Sequence, residues 1–308
     1  MTPPILLAVP NVSEGRDAAT IAAIAGAFAE DAAGGVRVLD IHSDADHHRS
    51  VFTLAGRPDV LVDALLRGAR VTLERIDVVS RAGRGAAHAG QHPHVGALDV
   101  APIVYLRPGD RGAACAAALV LGDRLGEELE LPVFLYGELS GADRSSARTR
   151  SQLRRGGVAG LAARLAAGED GLTPDFGPAR MHPHGGATLV AARPPLVAFN
   201  LQLAPPATVI EARAIAEQIR EGGESGLPGV RALGLTLSDD VAQVSMNIER
   251  PLELPLARVV DAVRAHAEIA SAELVGLAPA AALDGFPADV PMPGFDPQRH
   301  LIENALGC

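Results

Sequence analysis

Two imidazoles flank a proline in the stretch Gln91-His92-Pro93-His94-Val95-Gly96. Proline fixes its own φ and restricts the residue before it, so His92 sits on stiff, non-helical backbone. A third imidazole, His88, lies just upstream among Gly and Ala residues. An imidazole with an ordinary pKa near ~6.5 gives or takes a proton at cellular pH, which makes general acid/base work the chemistry to consider first. The same residues also read as a surface loop that happens to carry histidines, because short motifs are ambiguous.

Other constellations are weaker. His88, His92 and His94 have spacings compatible with a metal, yet no cysteine or spaced carboxylate supports one, and no metal is expected. His47 and His48 are adjacent and point apart if extended. Gly83-Arg84-Gly85-Ala86-Ala87-His88 starts like a dinucleotide fingerprint but lacks its final glycine. Cys115, in an Ala-rich helix, has nothing to lower its pKa and is no nucleophile. Arg49 lies at the start of a strand beside a polar loop, where its fork could grip a carboxylate or simply be solvated. Glu138 follows a buried strand, where it could bind a cationic group or cap the next element.

These residues need strands and helices to hold them. Ile5 to Val9 reads as a strand, and the loop from Pro10 to Asp17 leads into a helix with Ile21, Ile24, Ala25 and Phe28 on one face. Strands follow at Val36 to Asp40 and Ser50 to Leu54, separated by a polar loop, and a helix opens at Pro58 and runs to about Leu73. Ile76 to Val79 suggests another strand. Asp99 to Leu106 is a strand, Arg111 to Leu129 a helix, and Pro132 to Tyr136 a buried strand. Residues 141–167 are charged and Ala-rich, helical in parts, and residues 171–195 show no periodicity, as in a binding loop. Beyond Pro194-Pro195 the pattern is cleaner: a strand at Leu196–Leu203, a helix at Val209–Glu221, strands at Val230–Leu237 and Val241–Ile248, a helix at Leu256–Glu268 and a strand at Ala272–Val275. That β-α-β-β-α-β order is the split βαβ of ferredoxin-like domains. The first 140 residues admit the same reading with added elements. The expectation is an α/β (α+β) protein of two ferredoxin-like subdomains, residues 1–194 and 195–308, with mixed sheets and helices on their faces.

Composition narrows the function. The 308 residues, 48% of them hydrophobic, suit two domains of ordinary size and contain no apolar run able to span a bilayer. A formal net charge of −10 and an absence of Trp argue against nucleic acid, which needs cations and stacking platforms. The N-terminus lacks a secretory pattern and two cysteines make no disulfide framework, so a cytoplasmic location is expected. Anionic small molecules stay open, since a few local arginines outweigh a distant field.

Taken in order, the motifs resemble the formiminotransferase family. They are Val9-Pro10-Asn11-Val12-Ser13-Glu14-Gly15, Leu39-Asp40 with Asp46 to Phe52, Gly90 to Val100, Leu135-Tyr136-Gly137-Glu138, Pro174-Asp175-Phe176-Gly177-Pro178, Gly186-Ala187-Thr188 and Ala198-Phe199-Asn200. Gln243-Val244-Ser245-Met246-Asn247 and Glu273-Leu274-Val275-Gly276-Leu277 extend the likeness to about residue 283. The resemblance implies two α/β subdomains, a homodimer, and transfer of a formimidoyl group from N-formimidoyl-L-glutamate to N5 of tetrahydrofolate, releasing glutamate in histidine breakdown. It implies that His92 is the catalytic histidine. It also implies a folate-contacting loop over Gly177, Pro178, Ala179, Arg180, Met181, His182, Pro183, His184, Gly185 and Gly186. The substrate-binding set expected beside them is Asn11, Ser13, Glu14, Arg49, His88 and Glu138; for Arg49 and Glu138 the reason is charge, not resemblance.

The chemistry explains the histidine. N5 must lose a proton as it attacks the amidine carbon, and the glutamate nitrogen must gain one to leave. One group of near-neutral pKa can make both transfers, worth roughly 10²–10⁴-fold, and holding the two ligands together supplies more. Glu138, Asp40 or Asp99 would suit the amidinium and Arg49 a substrate carboxylate. One departure matters: the family motif continues His-Pro-Arg, and here His94 takes the arginine's place. That favours either a different formyl or formimidoyl donor, or compensation by another cation such as Arg84. A metal-dependent amide or amidine hydrolase built on the histidines is the rival from another class.

Overall fold

The computed structural model describes residues 3–30, 35–83, 92–141 and 147–307. The chain divides into two compact units between Pro194 and Pro195, and each is a mixed α/β layer.

In the first unit, β1 (Leu6–Ala8) and β2 (Asn11–Val12) form one strand broken at Val9-Pro10, and β3 (Arg37–Asp44), β4 (Arg49–Gly56), β5 (Leu98–Val104), β6 (Val133–Leu135) and β7 (Thr188–Arg193) complete the sheet. The order is β1-β4-β2-β5-β7-β6, with β3 on the outer side of β4. β1 to β5 thus carry the expected split βαβ pattern, and β7 and β6 add to it in parallel beside β5. Helices Ala18–Ala29, Pro58–Arg75 and Arg111–Leu129 cover one face, burying Ile24, Phe28, Leu61, Leu65, Ala118 and Leu121 against Phe52, Leu54 and Ile103. Over β5–β7–β6 the other face is packed by Leu153, Leu161 and Leu165 against Val100, Phe134 and Leu189.

The second unit has β8 (Val197–Leu203), β9 (Val230–Thr236), β10 (Ala242–Ile248) and β11 (Ile269–Val275) in the order β11-β8-β10-β9, every pair antiparallel. Helices Val209–Ile219 and Leu256–Arg264 pack Ile215, Ile219, Val259 and Val263 on Phe199, Leu201 and Val244. Among the described residues no helix is long and apolar enough to cross a membrane.

Three expectations need correction. Residues 76–79 are not a strand: Asp77 accepts from the Ser80 backbone N–H at 2.8 Å and starts the helix Val78–Gly83, a capping preference that outweighs β-branched valines. The polar loop before β4 is much shorter than expected, because β3 continues to Asp44, pairing with Arg49 across a tight turn. The aperiodic segment 171–195 hides β7, whose run Leu189 to Ala192 is buried on both faces between parallel neighbours and therefore shows no alternation.

Backbone hydrogen bonds clamp the histidine segment to residues 185–187. Ala97 N–H donates to Gly185 O at 2.8 Å and Ala187 N–H to Val95 O at 2.9 Å. A Cβ at Gly96 would lie 1.8 Å from Ala187 O, closer than any real contact. Gly96→Ala is expected to part these segments, lowering stability by about 1–3 kcal/mol, as overpacking does. Chemical denaturation of the variant beside the parent measures it.

Candidate active site

Alternation along β4 puts Phe52 and Leu54 on the helix-covered face and Arg49 and Val51 on the other. Asn11 of β2 lies opposite Val51, so its side chain reaches Arg49 diagonally. The Arg49 guanidinium donates through Nε to Asn11 Oδ1 at 2.8 Å and through Nη2 to the same oxygen. Its Nη1 is 3.3 Å from Asp99 Oδ2 and 2.8 Å from His92 Nδ1. Arg154 meets the same Asp99 oxygen, and the Val95 backbone N–H donates to Asp99 Oδ1 at 2.9 Å. Asp99 is 1% exposed. Burial alone would raise its pKa, but Arg154 and Arg49 hold the carboxyl below its ordinary value.

A guanidinium has only donors, so His92 Nδ1 accepts from Arg49. The Pro93 carbonyl is also 2.9 Å away, but one nitrogen cannot donate and accept together, and the permanent cation decides. The neutral ring therefore carries its proton on Nε2. Burial first, then the charges of Arg49 and Arg154, push its pKa well below the ordinary value. His94 Nδ1 lies 3.3 Å from His92 O, and burial lowers that ring's pKa as well.

The loop from Pro10 to Asp17 braces this cluster. Ser13 Oγ donates to Gly96 O at 2.7 Å. Glu14, 3% exposed, accepts from the backbone N–H groups of Arg16 and Asp17 at 2.9 and 3.0 Å and from Arg81. Burial would raise its pKa, but these donors lower it. Gly15 N–H donates to His48 Nδ1 at 3.1 Å, and burial pushes His48 down to about 4. A Cβ on Gly15 would lie 2.0 Å from Asp44 O, so only glycine lets the β3–β4 turn close over this loop.

Of the residues singled out from the sequence, Asn11, Arg49 and His92 converge, and Ser13 and Glu14 stand behind them with their side chains engaged by the protein. His88 lies outside the described residues, as does Arg84. Glu138 is not brought to the cluster. It pairs with Arg111 at 2.7 Å and lies 3.4 Å from Tyr105 Oη, beyond the carboxyl end of β5, whereas Asp99 is at its amino end. Six residues of strand separate Tyr105 from Asp99, roughly 20 Å at strand rise.

Gly185 and Gly186, at the end of the 177–186 loop, pair with the histidine segment through the backbone. Gly177 packs on Leu131 O and Gly126, and Met181 packs against the core. Arg180 pairs with Glu130 at 3.1 Å, and Pro178 and Ala179 carry the chain between them. Beyond exposed Pro183, His182 Nδ1 accepts from Gly185 N–H at 2.8 Å and His184 Nδ1 lies 2.9 Å from Asp77. Sequence reasoning missed Arg154. The capping box Thr149 with Gln152 marks the helix Arg150–Leu153, which Arg154 caps at its C-terminal end, but nothing local signals a partner as distant as Asp99. Among the described residues no group of three His, Cys, Asp or Glu side chains could hold a metal ion.

Asp99→Asn removes the anion shared by two largely buried guanidinium groups and is expected to cost about 3–5 kcal/mol in chemical denaturation. Acid adds a second signature. Between pH 6.5 and about 4 the unfolded chain protonates at His48 while the folded protein does not, so stability falls as pH is lowered through that window. The lowered carboxyls of Glu14 and Asp99 act with the same sign at the lower end. Denaturation midpoints at pH 7 and pH 5 measure the effect.

Comparison with known proteins fits these motifs. Residues 5–193 match the formiminotransferase domain, N-terminal subdomain. The chain is 34% identical to glutamate formimidoyltransferase of Streptococcus pyogenes serotype M1, covering 98% of both chains. It is also 34% identical to glutamate formimidoyltransferase of Thermoplasma acidophilum, over 97% of this chain and 96% of that one. Against formimidoyltransferase-cyclodeaminase of Gallus gallus the identity is 36% over 89% of this chain, which spans 50% of that longer protein. The chain belongs to the formiminotransferase family of transferases.

Proposed function

We propose that the protein transfers a formimidoyl group from N-formimidoyl-L-glutamate to N5 of tetrahydrofolate, giving 5-formimidoyltetrahydrofolate and L-glutamate. Residues 1–194 are the catalytic subdomain and 195–308 the C-terminal subdomain in this reading. An imidazole of the cluster, His92 by resemblance, acts as the general acid/base. The loop 177–186 contacts the folate.

The observation that carries the reading is the Arg49 guanidinium, which touches His92 Nδ1 while it is anchored by Asn11 and Asp99. Arg49 and Arg154 are two cations on one carboxylate, Asp99. The guanidinium of Arg150 lies 5.8 Å from the centre of the Tyr136 ring and adds to the positive field at Arg49. This local excess of positive charge suits a dicarboxylate, although the chain as a whole carries −10. It also supplies cations where His94 stands in place of the family's arginine.

That same His94 supports a second reading within the class, transfer from another formyl or formimidoyl donor. The purified protein is expected to form 5-formimidoyltetrahydrofolate from formimidoylglutamate and tetrahydrofolate. His92→Gln is expected to lower kcat by roughly 10²–10⁴-fold with tetrahydrofolate affinity retained. Turnover only with a different donor would favour the second reading, and no transfer from any formyl or formimidoyl donor would overturn both.

A further inference from the structure

Arg150 opens the helix Arg150–Leu153 and lies in none of the motifs that carry the family resemblance. On the same stretch of chain Arg148, Arg154 and Arg155 each pair with a carboxylate, those of Asp175, Asp99 and Glu169. Arg150 differs. It is half-buried, and among the described residues its guanidinium meets no carboxylate. What it meets is a ring: Arg150 Cζ lies 5.8 Å from the centre of Tyr136. A cation over an aromatic face is held in place while its charge stays available. Tyr136 is 6% exposed and packs with Val95, Val100 and Leu153, so the platform is rigid and adjoins the histidine segment.

The charge is felt at the cluster. Burial, then the charge of Arg154, pushes the Arg49 pKa down to about 9; Asp99 opposes that shift and Arg150 adds to it. Arg49 and Arg154 divide Asp99 between them, and Arg150 is left over. The chief charges acting on His92 are those of Arg49, Arg154 and His47. Arg150 acts instead on Arg49, one step removed from the imidazole. Formimidoylglutamate calls for such an order. Its amidine sits on the α-nitrogen, which must reach His92, and one carboxylate lies beside that nitrogen while the other ends the side chain. Arg49, in contact with His92, suits groups near the reacting carbon. The guanidinium set farther off suits the remote carboxylate, which it can bind through a charge-assisted hydrogen bond.

We propose that Arg150, held on the Tyr136 ring, binds the side-chain carboxylate of formimidoylglutamate and makes the protein selective for an acidic donor. The proposal rests on the formimidoyl-transfer reading and names the residue that recognises the donor's far end. Arg150 takes no part in the proton transfers. The glutamate tail of the folate offers the same carboxylate chemistry, so the test separates the two sources.

Steady-state kinetics of the full chain test this, with tetrahydrofolate as acceptor and N-formimidoyl-L-glutamate or N-formimidoyl-L-glutamine as donor. The amide donor lacks only the side-chain charge. The parent is expected to favour the acidic donor in kcat/KM by roughly 10–100-fold, the scale of a hydrogen bond between charged groups. Arg150→Gln and Arg150→Met are each expected to raise the KM for formimidoylglutamate by that factor. Their kcat and their KM for tetrahydrofolate are expected to stay near the parent's, the mark of a lost ground-state contact. Both variants are expected to use the two donors with nearly equal kcat/KM, which a merely structural role would not produce. No preference in the parent, or an undiminished preference in a folded variant, overturns the assignment. So does a rise in KM for tetrahydrofolate that disappears with tetrahydropteroate, which has no glutamate tail. A parent inactive with formimidoylglutamate overturns the underlying reading instead, so the two failures are distinct.

Discussion

Asp99 is the constraint on which the site depends. One buried carboxylate ties together Arg49 from a hairpin strand, Arg154 from a short helix and the Val95 N–H of the histidine segment. Charges this far from water are tolerated only when paired and hydrogen-bonded, and each partner here is held because the others are. Arg49 then has no freedom to leave His92, whose ring orientation and tautomer follow from that contact. The His92 imidazole is thus positioned by electrostatics, and the backbone clamp at Gly96 and Gly186 gives the electrostatics a rigid frame.

Three histidines within a short distance illustrate how environment decides chemistry. His48 turns into the protein, takes a backbone N–H and loses basicity to burial. His92 faces two arginines and is kept neutral. His47, next to His48 in the chain, meets a carboxylate instead. The neighbours His47 and His48 differ because the turn at 45–48 sends consecutive residues to different partners. His48 itself has a φ of 50°, which allows that divergence. The same charge logic would let an acidic protein accept an anionic ligand, since guanidinium groups close to the site outweigh carboxylates screened by solvent.

Much of this was legible in the chain. Periodicity located most strands and helices, because strands with one face solvated alternate and amphipathic helices repeat. The order of elements indicated the split βαβ units, and the stiff His92-Pro93 step pointed to the segment that carries the histidine. Legibility failed where the signal is not local. β7 is covered on both faces and has no alternation to read. Asp77 converted an apparent strand into a helix by capping it. Glu138 follows a strand end as a functional carboxylate would, yet it is at the opposite end of the sheet from His92.

The sequence by itself determined which segments are strands or helices, how they are ordered, which family they belong to and which residue types are available for proton transfer. These are properties of neighbours along the chain. Only the tertiary structure decided that Arg154 meets Asp99 across 55 positions, that Arg49 meets His92 across 43, and that the His47 ring packs beside that of His92. Such pairings depend on strand register and helix packing. A one-residue change in register would turn Arg49 to the other face of its strand, with no change in the composition of the motif.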